Sequence, residues 1–512
     1  MITTIAKHEF LSNVKTFRFI VVFVVALVLI SLSAHILTRD YVDRLQDYRT
    51  AVKEHKEELK KVRVYSMLRP KIDRPPTVLS IFCKGIEDRI GTTVEISHRH
   101  VPVELTGETT RANPYLKIFP SIDMAWVIAV FFGLLASLLS YDSIAGEKEQ
   151  GTLGLMLSNA VPRYQLILGK YLGGMLTLFV ALIVSFIFGF LVIRIHPLVT
   201  FTKDDILRIL LLLIMSLIYV SAFYLIGAFI SSRTKSSAIS LIICLFTWIF
   251  LVIIFPNLSM YIAQRIRPIE SKTIVDERVK ALEDERNDKV KKFDEKITPG
   301  SLWYWNHRGL GDGMFEILGA PRSVFEYHRK LAQFEEPLSI EYADKIGSIY
   351  LDYYRKLEEQ ARLGKQISSI SPSALYLGVV SSISNTDAKT YNKFMKEAKG
   401  YRNQLISYLQ TKNAFSSYQW FCNIGEKGIV PEEVLKLIID EKSLREIMNR
   451  WEAEVTPGYK FLNLDDLPQF NFYFPSVGEK PKSFLIGIEL LIFLNIFFFV
   501  MTYVSFLRYD VR

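Results

Sequence analysis

Cysteine is scarce. Cys83, Cys244 and Cys422 are the only three in 512 residues, and no CxxC pair occurs, which argues against a thiolate metal site. Cys244 stands inside an apolar run, where a thiol packs as a small hydrophobe. The eight histidines are scattered. Only His98 and His100 stand two apart: on a strand they would share a face and bind a metal, and in a loop they would be solvated. The loop reading assigns the chain no metal. "HEFLS" (His8–Ser12) has no second histidine, and no G-x-S-x-G elbow occurs. The phosphate-cradling G-x-x-x-x-G-K-[ST] is also missing. Its nearest fragments, "LGKY" (Leu168–Tyr171) and "LGKQ" (Leu363–Gln366), lack the earlier glycine and the following hydroxyl. No catalytic residue is assigned. Internal repeats, low-complexity linkers, zinc-finger spacings and aromatic-plus-basic groove patterns are absent, so nothing points to nucleic acid.

Long apolar runs are abundant. Half of the residues are hydrophobic and the mean hydropathy is +0.21. Six runs are long enough to cross about 30 Å of hydrocarbon as helices: 19–37, 121–141, 171–193, 206–230, 237–256 and 483–507. Backbone groups in lipid must be satisfied within the segment, so each is read as a helix. The first run is long for a signal peptide, and "TRDYVDRL" follows it instead of a small-residue cleavage site. The net charge of +9 and a pI near 9.1 then concern loops and lipid. The fold class predicted is an α-helical polytopic membrane protein with a mostly helical extracytoplasmic domain containing a few short strands.

Orientation follows from lysine and arginine in the short segments. With the N-terminus inside, inner segments hold Lys7, Lys15, Arg18, Lys148, Arg163, Lys170, Arg233, Lys235, Arg508 and Arg512, whereas the short outer loop holds Arg194 and Lys203. Both termini are therefore expected in the cytoplasm. Residues 1–18 precede the first span. Their Phe10, Val14 and Phe17 share a face, which suits an interfacial helix on the inner leaflet or a plain basic lead-in. Residues 38–120 and 257–482 fall outside. After the first span Leu45, Val52 and Leu59 recur every seven residues, and after the fifth so do Val279, Arg286 and Phe293. Two such helices would pair as a stalk, or pack separately on the outer domain. Short strands are expected in residues 75–105. Helix is expected over 321–410, broken at Gly347, Gly364 and "SPS" (Ser371–Ser373), and again over 431–451. Cys83 and Cys422 would lie outside, where a disulfide forms only if their segments meet.

Residues 142–170 form the inner loop between the second and third spans. Leu153, Met156, Leu157 and Ala160 make a helical apolar stripe, preceded by Glu147 and Glu149. Asn159 and Pro162 end that helix. The stretch "EKEQGTLGLMLSNAVPRYQLILGK" resembles the membrane subunits of type 2 ABC exporters, whose corresponding loop carries E-x-E-x-G-T-L, a proline and L-G-K. The six spans and amphipathic N-terminus match too. "PPTVLSIFCKG" (Pro75–Gly85), "SPSALY" (Ser371–Tyr376), "NTDAKTYNKFMKEAKGYR" (Asn385–Arg402) and "LPQFNF" (Leu467–Phe472) are similar to a subgroup with large outer domains, including permeases associated with copper-site assembly and gliding machinery.

The resemblance implies a prokaryotic inner-membrane permease without enzymatic activity. Glu147, Glu149, Gly151 and Thr152 would belong to a coupling helix, and Leu153, Met156 and Leu157 would enter a groove on an ABC ATPase. ATP and Mg would be bound by that separate ATPase, with no cofactor on this chain. A second permease copy or paralogue, membrane lipid and an extracytoplasmic partner protein are the other implied partners. The competing reading is a membrane-anchored assembly factor or receptor whose outer domain is the working part. Asp123, Arg208 and Glu489 are ionisable residues within spans, where charge is costly. Glu489 is predicted to pair with Arg208 or Asp123, or to contact substrate, and Asn495 lies about two turns further in.

Overall fold

A computed structural model describes residues 1–105, 122–153, 162–298, 308–311, 314–317, 319–437, 440–455, 460–479 and 481–508. Six helices among them are long and apolar enough to cross a membrane, and strands are few and short. The chain is an α-helical polytopic membrane protein.

The short helix α1 (Ile2–Val14) leads into α2 (Phe17–Lys60), whose first turn is capped by Thr16 Oγ1 accepting from the Phe19 amide at 3.2 Å. At 1.5 Å per residue, the 44 residues of α2 extend about 66 Å, twice a bilayer core. The first span therefore runs unbroken into the polar domain. The second span comprises α3 (Met124–Val127), a π-turn (Ile128–Phe132) and α4 (Gly133–Ser140), followed by the short α5 (Ala145–Glu149). The third is α6 (Arg163–Arg194), so the basic end of the predicted loop already belongs to the spanning helix. The fourth is α7 (Lys203–Arg233), which opens with a Thr202–Asp205 capping box. The fifth comprises α8 (Ser237–Ile249), a π-turn (Phe250–Ile254) and α9 (Phe255–Ile266).

The polar domain adds α10 (Lys272–Ile297), α11 (Arg322–Ser368), α12 (Pro372–Ile383), α13 (Ala388–Thr411), α14 (Glu432–Leu435) and α15 (Glu441–Val455), before α16 (Pro481–Leu507) makes the sixth span. Antiparallel β1 (Lys71–Asp73) and β2 (Thr93–Glu95) pair Ile72 with Val94. A second hairpin joins β3 (Arg308–Gly311) and β4 (Met314–Glu316).

Of the two readings of these heptad helices, the structure shows separate packing and no stalk. Helix α10 lies along α11, burying Val275 and Val279 and stacking Phe293 on Phe334 at 4.1 Å. Leu45 joins the membrane core, whereas Leu59 and Val62 join the polar-domain core. Cys83 and Cys422 lie one in each of these cores, so the permitted disulfide does not form and both thiols are free. Burial pushes both thiols up, that of Cys422 to about 12, which leaves them poor nucleophiles.

Helix α12 enters the membrane bundle. After α11 returns to the fifth span, the chain turns and α12 packs against α7, α16 and the π-turn of the fifth span. Leu375, Tyr376, Val379, Val380 and Ile383 are buried in the same core as the spans. Pro256 supplies no N–H, and the carbonyl five residues before it, that of Leu251, accepts from Ser371 Oγ at 2.5 Å and Ser373 Oγ at 3.0 Å. Tyr376 stacks on Tyr219 at 4.6 Å and meets Ser216 Oγ at 2.9 Å. Tyr219 in turn donates to Ala129 O, in the other π-turn.

Candidate functional site

The 142–153 segment sits on the face of the bundle that also holds α1, called here the terminal face. Ser143 Oγ donates to Ser140 O at 2.8 Å and turns the chain out of α4. The Ile144 and Ala145 amides then both donate to Ser231 Oγ, at 3.1 and 2.9 Å. A side chain from the end of α7 thus satisfies the orphan donors that open α5.

The three charges of α5 go to three different spans. Glu147 Oε1 lies 2.5 Å from Lys170 Nζ on α6, and the same ammonium lies 3.4 Å from Glu9 Oε2 on α1. Lys148 Nζ donates to Ser232 O and, at 3.2 Å, to Thr234 O, where the last carbonyls of α7 attract a cation. Glu149 Oε2 accepts from the Ser237 amide at 2.9 Å, at the electropositive start of α8. Glu147 and Lys170 are largely buried, whereas Glu149 is exposed. One oxygen of Glu147, Oε2, is buried without a hydrogen-bond partner.

Helix α5 ends because Gly151 adopts φ +72°, a left-handed conformation natural to glycine just past a helix. Its amide donates to Lys148 O at 3.3 Å, and Thr152 Oγ1 donates to Glu147 O at 3.3 Å. Gly151 therefore separates the acidic pair on α5 from Leu153. Leu153 is 1% exposed and packs inward with Ile144, Leu166, Ile167 and Phe506. Met156, Leu157, Asn159 and Ala160 lie outside the described residues. Arg163 closes the cluster by donating to Leu507 O at 2.6 Å, at the end of α16.

Helix α1 reaches this site through glycines. A Cβ on Gly169 would lie 2.7 Å from Ile5 Cγ2, and one on Gly173 would lie 2.6 Å from Glu9 Cβ. The four-residue spacing of Gly169 and Gly173 puts both on one face of α6, so α1 settles on backbone. The structure thus places α1 against α6, with Phe17 exposed at the start of α2.

The structure does not bring Asp123, Arg208 and Glu489 together. Asp123 caps α3, accepting from the Trp126 amide at 2.7 Å and the Lys84 amide at 2.9 Å. Buried Arg208 donates to Asp204 Oδ2 at 2.6 Å, Ile383 O at 2.5 Å and Pro475 O at 2.7 Å. It thereby ties the fourth span to the end of α12 and to the lead-in of the sixth span. Glu489 is exposed on α16 and has no hydrogen-bond or ion-pair partner among the described residues. Asn495 Nδ2 donates to Ile218 O across to the fourth span at 3.1 Å. His98 sits in a turn, with Nε2 2.7 Å from Glu336 Oε2 and its ring against Phe415 and Trp420.

The sequence marks Lys148 and Lys170 only as inner cations, and their partners Glu147, Glu9, Ser232 and Thr234 were not legible there. The signal was the pair of glycines flanking Lys170. A small-x-x-x-small face next to a buried lysine calls for a close helix carrying a carboxylate.

Two curated relatives, each described as a "Probable ABC transporter permease protein NosY", match a 53-residue stretch. The relative from Pseudomonas aeruginosa is 51% identical and that from Stutzerimonas stutzeri 47%. In both cases the match covers 10% of this chain and only 19% of the relative. The family model described as "ABC-2 family transporter protein" matches residues 3–511. A match of that extent, over a chain with six helices among its described residues long and apolar enough to span a membrane, shows that this protein belongs to the ABC-2 transporter family and is a membrane subunit of an ABC transporter.

Proposed function

We propose that this chain is the permease half of an exporter in a prokaryotic inner membrane, driven by a separate ATPase that docks on the terminal face. The carrying observation is the position of α5, whose three charged side chains reach the third, fourth and fifth spans. A push on five residues is thereby delivered to half of the bundle. The lysine and arginine balance supports placing both termini and this face in the cytoplasm, and the polar domain outside. ATP and Mg belong to the ATPase. Two ATPases share their sites, so two permease copies, or this chain and a paralogue, complete the membrane unit.

A second reading is favoured by α12 and Arg208. They join the polar domain to the second, fourth, fifth and sixth spans, so ATP turnover would move that domain as well as, or in place of, a solute. Reconstituted vesicles separate the two: the first demands ATP-dependent transfer of material across the bilayer, the second only a nucleotide-dependent change in what the polar domain binds.

The common core of both readings is tested by topology and co-purification. Cysteine introduced at Tyr350 should react with an impermeant thiol reagent in intact cells, and cysteine at the exposed Gln150 only in inverted vesicles. The tagged full chain should carry an ATPase bearing the phosphate-cradling motif. Labelling with the opposite sidedness, or recovery of the chain without any ATPase, would reject the proposal.

A further inference from the structure

We infer that Glu147 works inside this chain as a positioning residue, bridged by Lys170 to Glu9, and does not contact the ATPase. This rests on the reading that the ATPase docks at the terminal face, and names how the push is passed on. Three observations carry it. First, exposure separates the two glutamates: the Glu147 side chain is 17% exposed and Lys170 9%, whereas Glu149 is on the surface. Second, the cation within reach of Glu147 is the chain's own, at 2.5 Å. Third, Lys170 is approached by carboxylates of two different elements, α5 and α1. Helix α1 cannot sit elsewhere without losing the glycine seat on α6.

A lysine held between carboxylates of two elements makes their positions interdependent. Displacing α5 draws Lys170 with it and weakens its grip on Glu9, so α1 and the third span respond together. A charge facing a partner protein would do neither.

The test uses the full chain with its co-purifying ATPase and reads two quantities separately: ATPase retained on the purified chain, and the part of ATP turnover that depends on the permease. Glu147→Gln keeps the shape and removes the charge. Retention should stay within about twofold, while permease-dependent turnover should fall about tenfold or more, the scale expected when a buried ion loses its partner. Glu147→Lys should do the same or worse. Combining it with both Lys170→Glu and Glu9→Lys restores the bridge in reverse, and turnover should recover to within about threefold of the parent, the signature of direct coupling among these residues. Glu9→Gln should have a smaller effect, because Lys170 keeps its shorter contact.

Loss of ATPase from Glu147→Gln at normal membrane levels, with no recovery of turnover in the full reversal, would make Glu147 a docking residue and overturn the inference. If the parent chain retains no ATPase, the proposed function fails by itself. The bridge is then read by thermal unfolding in detergent, where the full reversal of Glu9, Glu147 and Lys170 should regain the midpoint lost by Lys170→Glu alone. Failure to regain it overturns the bridge independently.

Discussion

His98 illustrates how a sequence hint changes meaning in the fold. Its ring is buried beside Trp420, and its partner is the carboxylate of Glu336, which Arg99 also grips at 2.6 Å. Burial holds the imidazole below its ordinary value of 6.5 even though Glu336 pulls it up. Glu336 is opposed by burial, but its hydrogen bond from His98 and the charge of Arg99 keep it below the usual carboxylate range. Both shifts have the same consequence for acid stability. Unfolded His98 takes up a proton near pH 6.5 while the folded ring does not, so stability falls as pH drops from there towards the folded value. Glu336 adds a further loss below about pH 4.5. The thermal midpoint of the detergent-solubilised chain should therefore decline between pH 7 and 5. His98→Gln should start lower and show a flatter decline over that interval; an unchanged slope would show that other groups set it. The pairing with Glu336 was not legible because the two residues stand 238 positions apart, and no local spacing records such a contact. The acidic pair Glu147 and Glu149 was legible in the sequence, but the partners of the two side chains were not. A glutamate beside a spanning helix looks the same in sequence whether its cation is its own or a partner's.

At the scale of elements, the spans were legible because a run of about 20 apolar residues has few other fates. The membrane placement of α12 was not, for a related reason: twelve residues are too few to cross, so the helix after the "SPS" break reads in sequence as part of the outer domain. Only the membrane core it enters explains its composition. The two π-turns leave no mark in sequence, although Pro256 accounts for the free carbonyl of Leu251. The Ser371→Ala, Ser373→Ala double variant strips that carbonyl of both its hydroxyl donors. It should destabilise the chain by about 1–3 kcal/mol, the range for an unsatisfied buried polar group, seen as a lower unfolding midpoint. A midpoint equal to the parent's would mean that the π-turn relaxes to satisfy itself. The seat of α1 gives a complementary expectation. Gly173→Leu puts a side chain where Glu9 and Ala6 already stand, so α1 should lift and cleavage within residues 2–14 by added protease should accelerate several-fold. Unchanged cleavage would show that α1 is held by something other than α6.

At the scale of the molecule, the membrane bundle and the polar domain share their structure. One helix, α2, contributes to both cores, and α12 brings part of the domain sequence into the bundle. Removal of residues 268–480 should therefore fail, even though it would leave the six spanning helices described above. Arg208 would lose its carbonyls at Ile383 and Pro475, and Ser216 and Tyr219 would lose Tyr376. The shortened chain should not give a monodisperse species in detergent by size-exclusion chromatography, and one that did would show the bundle to be self-sufficient.

The insertion of α12 also has a consequence for biosynthesis. The second, fourth and fifth spans leave the ribosome well before residues 372–383 exist, because about a hundred residues of polar domain intervene. During that interval the Leu251 carbonyl and the Ser216 hydroxyl face a vacant slot, and Arg208 waits for two acceptors that have not yet been made. The nascent chain thus carries its own checkpoint. Its early spans remain marginal until the domain between them and the last span has folded far enough to hand α12 back. Any lesion that slows folding of that domain should register first as degradation of the half-finished bundle by membrane quality control.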